Sequence, residues 1–336
     1  MNFDFTEDQH EIKKTARDLL GSRSSLAKVR EAAEAKAYDD ALWKELVELG
    51  WPGIAIAEEH GGQGLGAVEL AILAEELGYA VAASPFLSTV MAAEAIGAGG
   101  TAEQQAAWLP GLASGEITGA LGGAGGLVGD ADAAAVIVLV GDDGIARVLP
   151  RADADVTVVD SVDPTRRAAR VFAPPTHGEP LADSEAAVDR ATVPVAAELV
   201  GVSQRALEMT LAYVKDRKQF DTPVGAYQAV AHKCAQMLKD TEGARSATYF
   251  AAWAADAEPE RLPEAASLAK AAASDGGRDV TAAAIQAHGG IGFTWEADVH
   301  WLYKRAQVDA ALLGTSGKHR ARLARLLTAR LAPAVA

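Results

Sequence analysis

The chain has one cysteine, Cys234, in 336 residues. No internal disulfide can form, and a reducing, cytoplasmic setting is the expectation. Cys234 sits in an apolar helical run with Ala229, Val230, Ala231, Met237 and Leu238, which favours a buried structural thiol over a nucleophile. Long apolar runs are missing too, and none approaches the ~20 residues that span a bilayer. The start, MNFDFTEDQHEIKK, is acidic and has no apolar segment behind positive charge, so a signal peptide is not expected. Basic residues are in deficit, 31 against 46 acidic, for a formal net charge of -15. Such a chain repels nucleic acid and anionic membrane except where a patch is locally basic. No internal repeat and no metal-ligating cluster stands out.

Hydrophobic residues make up 49% of the chain, enough for more than one layer and two or three subdomains. Thr6 with Gln9 has the form of a capping box, opening a helix to about Leu20. A second amphipathic stretch, Ala41 to Leu49, is stopped by Gly50. Trp51 to Gly66 reads as a loop. Its glycines 61, 62, 64 and 66 lack the preceding strand and the GKS or GKT ending of a phosphate loop. Between Ile117 and Ala187 the character changes. Val136–Val140 and Ile145–Leu149 flank the turn Gly141–Gly144, a hairpin signal, and Val156–Val159 and Arg170–Phe172 read as further strands. From Glu185 the pattern is helical again: one helix to about Val214, one from Tyr227 to Trp253, one from Pro263 to Ala287. Ala-rich tracts, Ala131–Val136 and Ala282–Ile285, read as compositional bias.

The stretch Tyr213–Gln228, YVKDRKQFDTPVGAYQ, closes one helix and opens the next. Arg217, Gln219 and Phe220 stand at the break. A guanidinium there can fork onto two phosphate oxygens, an amide beside it can donate to the same group, and a phenyl ring can cover a base. The plainer reading makes Arg217 and Lys218 solvated cations near a helix C-terminus. Both stand on the residues alone. Further on, Gln286, Gly289 and Gly290 either admit a phosphate close to backbone N–H groups or simply end a helix.

RKQF, the Pro-Val turn and QAVAHKCAQM together resemble the flavin-dependent acyl-CoA dehydrogenase family. So do LVELGWPGIAIAEEHGGQGLG, AEELGYAVAASPFL and QQAAWLPGLASGE, in order, in the N-terminal half. The resemblance implies an α+β, mainly α fold. Its parts would be a helical N-terminal domain (1–117), a reduced β middle domain (118–186) and a C-terminal four-helix bundle (187–336). It implies FAD as cofactor and an acyl-CoA thioester as substrate. The residues matching the family's cofactor contacts across a subunit interface are Arg217, Gln219, Phe220, Gln228, Gln286, Gly289, Gly290 and Thr315.

Two departures stand out. The family's flavin-ring stretch is replaced by GALGGAGGLVGDADAAA, and the middle region has no tryptophan. The usual base position, the Glu of a Tyr-Glu-Gly-Thr stretch, is Leu313, and leucine takes no proton. The alternative position matches Ala191, and an arginine often beside it matches Thr192. Glu198, lone in an apolar run, is either a relocated base or one arm of an ion pair. A basic set, Lys304, Arg305, Lys318, Arg320, Arg322 and Arg325, either attracts cofactor phosphates or faces solvent. The resemblance therefore implies the non-base subunit of a two-chain α2β2 enzyme of sterol degradation, lending the adenylate and pyrophosphate pocket to a partner's flavin. The alternatives are a self-sufficient homo-oligomer using Glu198 and a scaffold without flavin.

Overall fold

The computed structural model describes residues 4–174 and 177–331, with helices at both ends of the chain and short strands between. Helix α1 (Glu7–Arg23) opens with the expected capping box: Thr6 Oγ1 accepts from Gln9 N at 3.2 Å, and Gln9 Oε1 accepts from Thr6 N at 2.9 Å. It is followed by α2 (Leu26–Ala35) and α3 (Asp40–Glu48), with Gly50 left-handed at φ 71° beyond it. The Trp51–Gly66 segment holds two 3-10 turns, Trp51–Gly53 and Glu58–His60, so it is a tightly wound connector. Then come α4 (Ala67–Ala80), α5 (Phe86–Gly99) and α6 (Ala102–Ala113).

The middle region forms two small sheets. One runs in the order β1 (Gly119–Gly123), β3 (Val136–Val140), β4 (Ala146–Pro150), β7 (Glu179–Pro180). The other places β6 (Ala168–Phe172) between β2 (Leu127–Gly129) and β5 (Asp155–Val159). The expected hairpin is β3–β4, closed where Val140 faces Ala146, and the two further expected strands, β5 and β6, pair antiparallel with each other. Alternate residues of β3 serve two cores because side chains alternate across a strand. Ile137 and Leu139 pack with Val128, Leu149 and Val171 of the strand layers, while Val136 and Val138 pack with Met91 and Ala92 of α5.

The remaining chain is helical: α7 (Ser184–Asp216), α8 (Gln228–Ala257), α9 (Leu262–His288), α10 (Val299–Ala311) and α11 (Ser316–Leu331). Helix α7 is the hub, touching α4, α5, α8, α9 and α10. Of the tracts read as compositional bias, Ala131, Ala134 and Ala284 are buried, and further alanines pack the bundle. Ala251, Ala252, Ala254, Ala265, Ala266, Ala269 and Ala284 are all buried, and methyl-sized side chains let the bundle helices lie close. Closest of all are α4 and α7. A methyl on Gly201 would fall 1.8 Å from Glu75 O, and one on Gly78 would fall 2.2 Å from Glu198 O. Only the absence of a side chain allows that double approach. Cys234 is buried, as expected, and burial raises its thiol pKa.

Candidate functional site

At one end of the bundle the chain leaves α7 through Arg217 and makes the two-residue ribbon β8 (Lys218–Gln219) and β9 (Thr222–Pro223). Phe220 and Asp221 form its tip, with φ of 51° and 61°. Val224 N donates to Arg217 O at 2.7 Å, and Tyr227 Oη donates to Gln219 O at 3.1 Å, so the ribbon folds back on the start of α8. The C-terminus of α9 lies alongside, because Tyr213 of α7 stacks on His288 of α9 with centroids 4.4 Å apart. Arg217, Gln219, Phe220, Gln228, Gln286, Gly289 and Gly290 are thus gathered at this end, and all are exposed.

Their surroundings are open. Among the described residues no carboxylate pairs with the Arg217 guanidinium. The first turn of α8 has no side-chain cap, leaving N–H groups at the positive end of a 30-residue helix. Gly289 has φ 66°, and a methyl added there or at Gly290 would meet nothing within 4 Å. Phe220 is 92% exposed. An unpaired guanidinium, free N–H groups and an uncovered ring suit a phosphate-bearing aromatic nucleotide.

Glu198 is elsewhere, in the interior between α7 and α10. Its Oε1 accepts from Arg305 Nη1 at 2.6 Å and also from Arg166. Arg305 further donates to Asp163 at 2.6 Å, to Thr165 Oγ1 at 2.7 Å and to Ala82 O at 3.3 Å. Burial alone raises the Asp163 pKa, but Arg305 and Thr165 outweigh it and hold the carboxyl below its ordinary range. Asp309, one turn before Leu313, completes the cluster. It is fully buried, and neither carboxylate oxygen has a hydrogen-bond partner. Burial and then the nearby Glu198 charge push its pKa up to about 8. Sequence reasoning missed Asp309, although a lone acid in the apolar run AQVDAAL is the signal that singled out Glu198.

The basic set read from the C-terminal sequence divides. Arg305 is fully buried, and Lys304 lies over the rings of Trp295 and Trp301, 4.0 and 4.6 Å from their centroids. Arg320 pairs with Asp275, and Arg322 with Asp189. Lys304, Arg305 and Arg320 thus turn to different neighbours, whereas Lys318, Arg322 and Arg325, spaced i, i+4, i+7 on α11, share one face.

With this geometry in place, comparison with known proteins is informative. Residues 6–116 match the acyl-CoA dehydrogenase N-terminal domain, and residues 177–328 match the acyl-CoA dehydrogenase C-terminal domain. The chain is 36% identical over 309 residues to acyl-CoA dehydrogenase IpdE2 of Mycobacterium tuberculosis, covering 91% of this chain and 93% of that one. The chain belongs to the acyl-CoA dehydrogenase family. Among solved structures, the Tcur3481–Tcur3483 steroid ACAD matches with a TM-score of 0.87 at 27% identity, over 97% of this chain and 99% of that chain. The Mycobacterium tuberculosis ChsE4–ChsE5 complex shares the fold, with a TM-score of 0.86 at 24% identity over 98% and 99% of the two chains.

Leu313, the position expected from the resemblance to hold the base, lies in the turn after α10. Leu313 has φ 54° and Gly314 φ 109°, and Leu312 and Leu313 pack against the core that holds Ala187 and Ala191. Two side chains hold this turn from outside. Lys270 Nζ, fully buried, donates to Ser274 Oγ at 2.9 Å, Ala310 O at 3.1 Å and Gly314 O at 3.3 Å. Burial brings its pKa down to about 8. His319 Nε2 reaches Leu313 O at 3.1 Å and must carry the proton to donate to it. Beside Leu313 lies a crevice of about 400 Å³ bordered by Val188, Lys318, Arg322 and Arg325. Thr315 caps α11 at this turn. Lys270 is 16 residues before Gln286 on α9, about 24 Å along the helix, so Thr315 lies apart from the other cofactor candidates.

Proposed function

We propose that this chain is the non-base subunit of a heteromeric, FAD-dependent acyl-CoA dehydrogenase acting on a steroid-derived CoA thioester. The observation that carries the reading is an open half-site. Among the described residues Arg217 has no carboxylate partner, and it stands beside uncapped N–H groups and the bare Gly289–Gly290 backbone, while the position expected for the base holds Leu313. In this reading Arg217 forks onto the FAD pyrophosphate. Gln219, Gln228 and Gln286 donate or accept at the adenylate, and Phe220 covers the adenine. Bound FAD supplies the hydride acceptor, and a carboxylate of the partner chain takes the α-proton. Thr315, at the far turn, contributes to a separate part of the assembly.

The likeness to the steroid ACAD, whose name joins two chains, supports the two-chain arrangement. Glu198, held by two arginines, is better suited to an ion pair than to proton abstraction. We also propose three domains, 1–117, 118–186 and 187–336, on the ground that β1 to β7 lie between Gly119 and Pro180 with helices on either side, the β8–β9 ribbon being a turn within the bundle. No helix among the described residues is long and apolar enough to cross a membrane. The cytoplasm is the proposed location, on the strength of the single, reduced cysteine.

The test is the visible spectrum of the chain purified alone and after co-expression with an acyl-CoA dehydrogenase chain encoded beside it. The expected result is a colourless chain alone and a yellow complex that bleaches with a steroid acyl-CoA. A yellow chain that bleaches by itself refutes the half-site.

A further inference from the structure

The cofactor half-site is built from two separate pieces, and one contact joins them. Arg217 follows α7, whereas Gln286, Gly289 and Gly290 close α9. Tyr213 sits one helical turn before Arg217, and its carbonyl accepts from Arg217 N at 2.9 Å. His288 stands between Gln286 and Gly289. The two rings stack at 4.4 Å with 22° between their planes. His288 Nδ1 donates to Ala284 O at 2.7 Å, which fixes the ring's tilt, and the ring is 8% exposed. Burial lowers its pKa, keeping the imidazole neutral. The turn Gly289–Phe293 packs back on this helix end: a methyl on Gly292 would fall 2.5 Å from Ile285 O and 3.0 Å from His288 Cβ.

We propose that Tyr213 and His288 are positioning residues, a stacked brace that sets the distance and angle between Arg217 and the Gln286–Gly290 turn. The inference rests on the reading of this end as an FAD half-site. Neither ring needs to touch the cofactor. Guanidinium and glycine turn must meet the pyrophosphate and adenylate of one cofactor together, and such contacts are productive only within a fraction of an ångström. The Arg217 side chain is exposed and the Gly-Gly turn is bare, so neither is held by its own contacts. Rigid placement comes from the layer beneath. The stack supplies it where α7 and α9 both end, a point at which helices otherwise fray.

The experiment measures FAD affinity of the assembled complex by equilibrium titration, with thermal unfolding recorded in parallel. Tyr213→Leu and His288→Leu keep the bulk and remove the stack, and Tyr213→Phe and His288→Phe restore a ring. Each leucine variant is expected to weaken FAD binding about five- to tenfold. The phenylalanine variants are expected to stay within about twofold of the parent. The double leucine variant is expected to be no weaker than either single one, because the second change removes a stack already lost. Leucine variants that bind FAD like the parent overturn the proposal, as do losses that multiply or phenylalanine variants as weak as leucine. Arg217→Ala separates the two levels. If it loses FAD while the leucine variants keep it, the brace alone is wrong. If Arg217→Ala also keeps FAD, the half-site reading itself falls.

Discussion

Arg305 on α10 and Glu198 on α7 form an ion pair at 2.6 Å in which neither side chain reaches solvent. The charges are 107 residues apart in sequence, and Arg166 and Asp163 close around them. Removing one arm of such a pair leaves a buried, uncompensated charge, at a cost of about 3–5 kcal/mol. Glu198→Ala is therefore expected to lower stability by that amount in chemical denaturation. Glu198→Gln, which keeps acceptor and shape, is expected to fold and to sustain turnover of the assembled complex. Loss of turnover in a folded Gln variant revives Glu198 as the base.

Arg217 is the opposite case, an exposed cation with no partner among the described residues. Arg217→Ala is expected to leave the unfolding midpoint unchanged and to weaken FAD binding by roughly 10- to 100-fold. That is the scale of losing charge-assisted hydrogen bonds of about 1.5–3 kcal/mol. Flavin absorbance of the complex after gel filtration checks it.

Asp309 gives a signed pH dependence. Its folded pKa, about 8, lies above the ordinary value of 3.8. Below 3.8 the carboxyl is protonated in both states and costs nothing by linkage. Between 3.8 and 8 only the unfolded chain ionises, so this group subtracts stability as pH rises, by at most about 1.4 kcal/mol per unit. Asp309→Asn is expected to be more stable than the parent at pH 7, with the gap closing toward pH 4. Parallel stability curves for the two proteins contradict it.

His319 has the reverse sign. Burial, with Lys270 nearby, takes its pKa down to about 4. From pH 6.5 down to 4 only the unfolded chain gains the proton, so this group's contribution is lost as pH falls through that window. His319→Gln, whose amide can still donate to Leu313 O, is expected to flatten acid unfolding in that range. An unchanged acid limb counts against the assignment.

Lys270 holds two carbonyls of the Leu313 turn. Lys270→Met matches its length and donates nothing, leaving Ala310 O and Gly314 O unsatisfied in a buried place. The expected loss is about 1–3 kcal/mol per stranded carbonyl. Hydrogen exchange is expected to show the 310–315 backbone opening before the rest of α10. Uniform protection across α10 in the variant refutes the clamp.

What the sequence made legible follows from the range of each interaction. The Thr6–Gln9 box, the Gly141–Gly144 hairpin and the breaks around Pro223 depend on neighbours within a few residues, and all are where the residues put them. The candidate cofactor residues were legible as motifs, because RKQF and the Gly-Gly turn are each a short contiguous run. Partners distant in the chain were not. Nothing around Arg305 distinguishes it from Lys304, yet one is enclosed by Asp163, Thr165 and Glu198 and the other covers two indoles. Lys270, in the Ala-rich run LAKAAA, gave no hint that its acceptors lie 40 and 44 residues ahead. Tyr213 gives no hint of its role in the sequence because its stacking partner lies 75 residues on, in a helix end marked only by Gln286 and its glycines.

The reciprocal glycines, Gly78 against Glu198 and Gly201 against Glu75, make α4 and α7 mesh like gear teeth stopped in one position. Any sliding or rolling of one helix on the other drives a backbone carbonyl into a neighbouring chain within a fraction of a turn. The N-terminal helices and the bundle are accordingly one solid piece at this seam. This seam is a fixed frame from which the ribbon and the turns project.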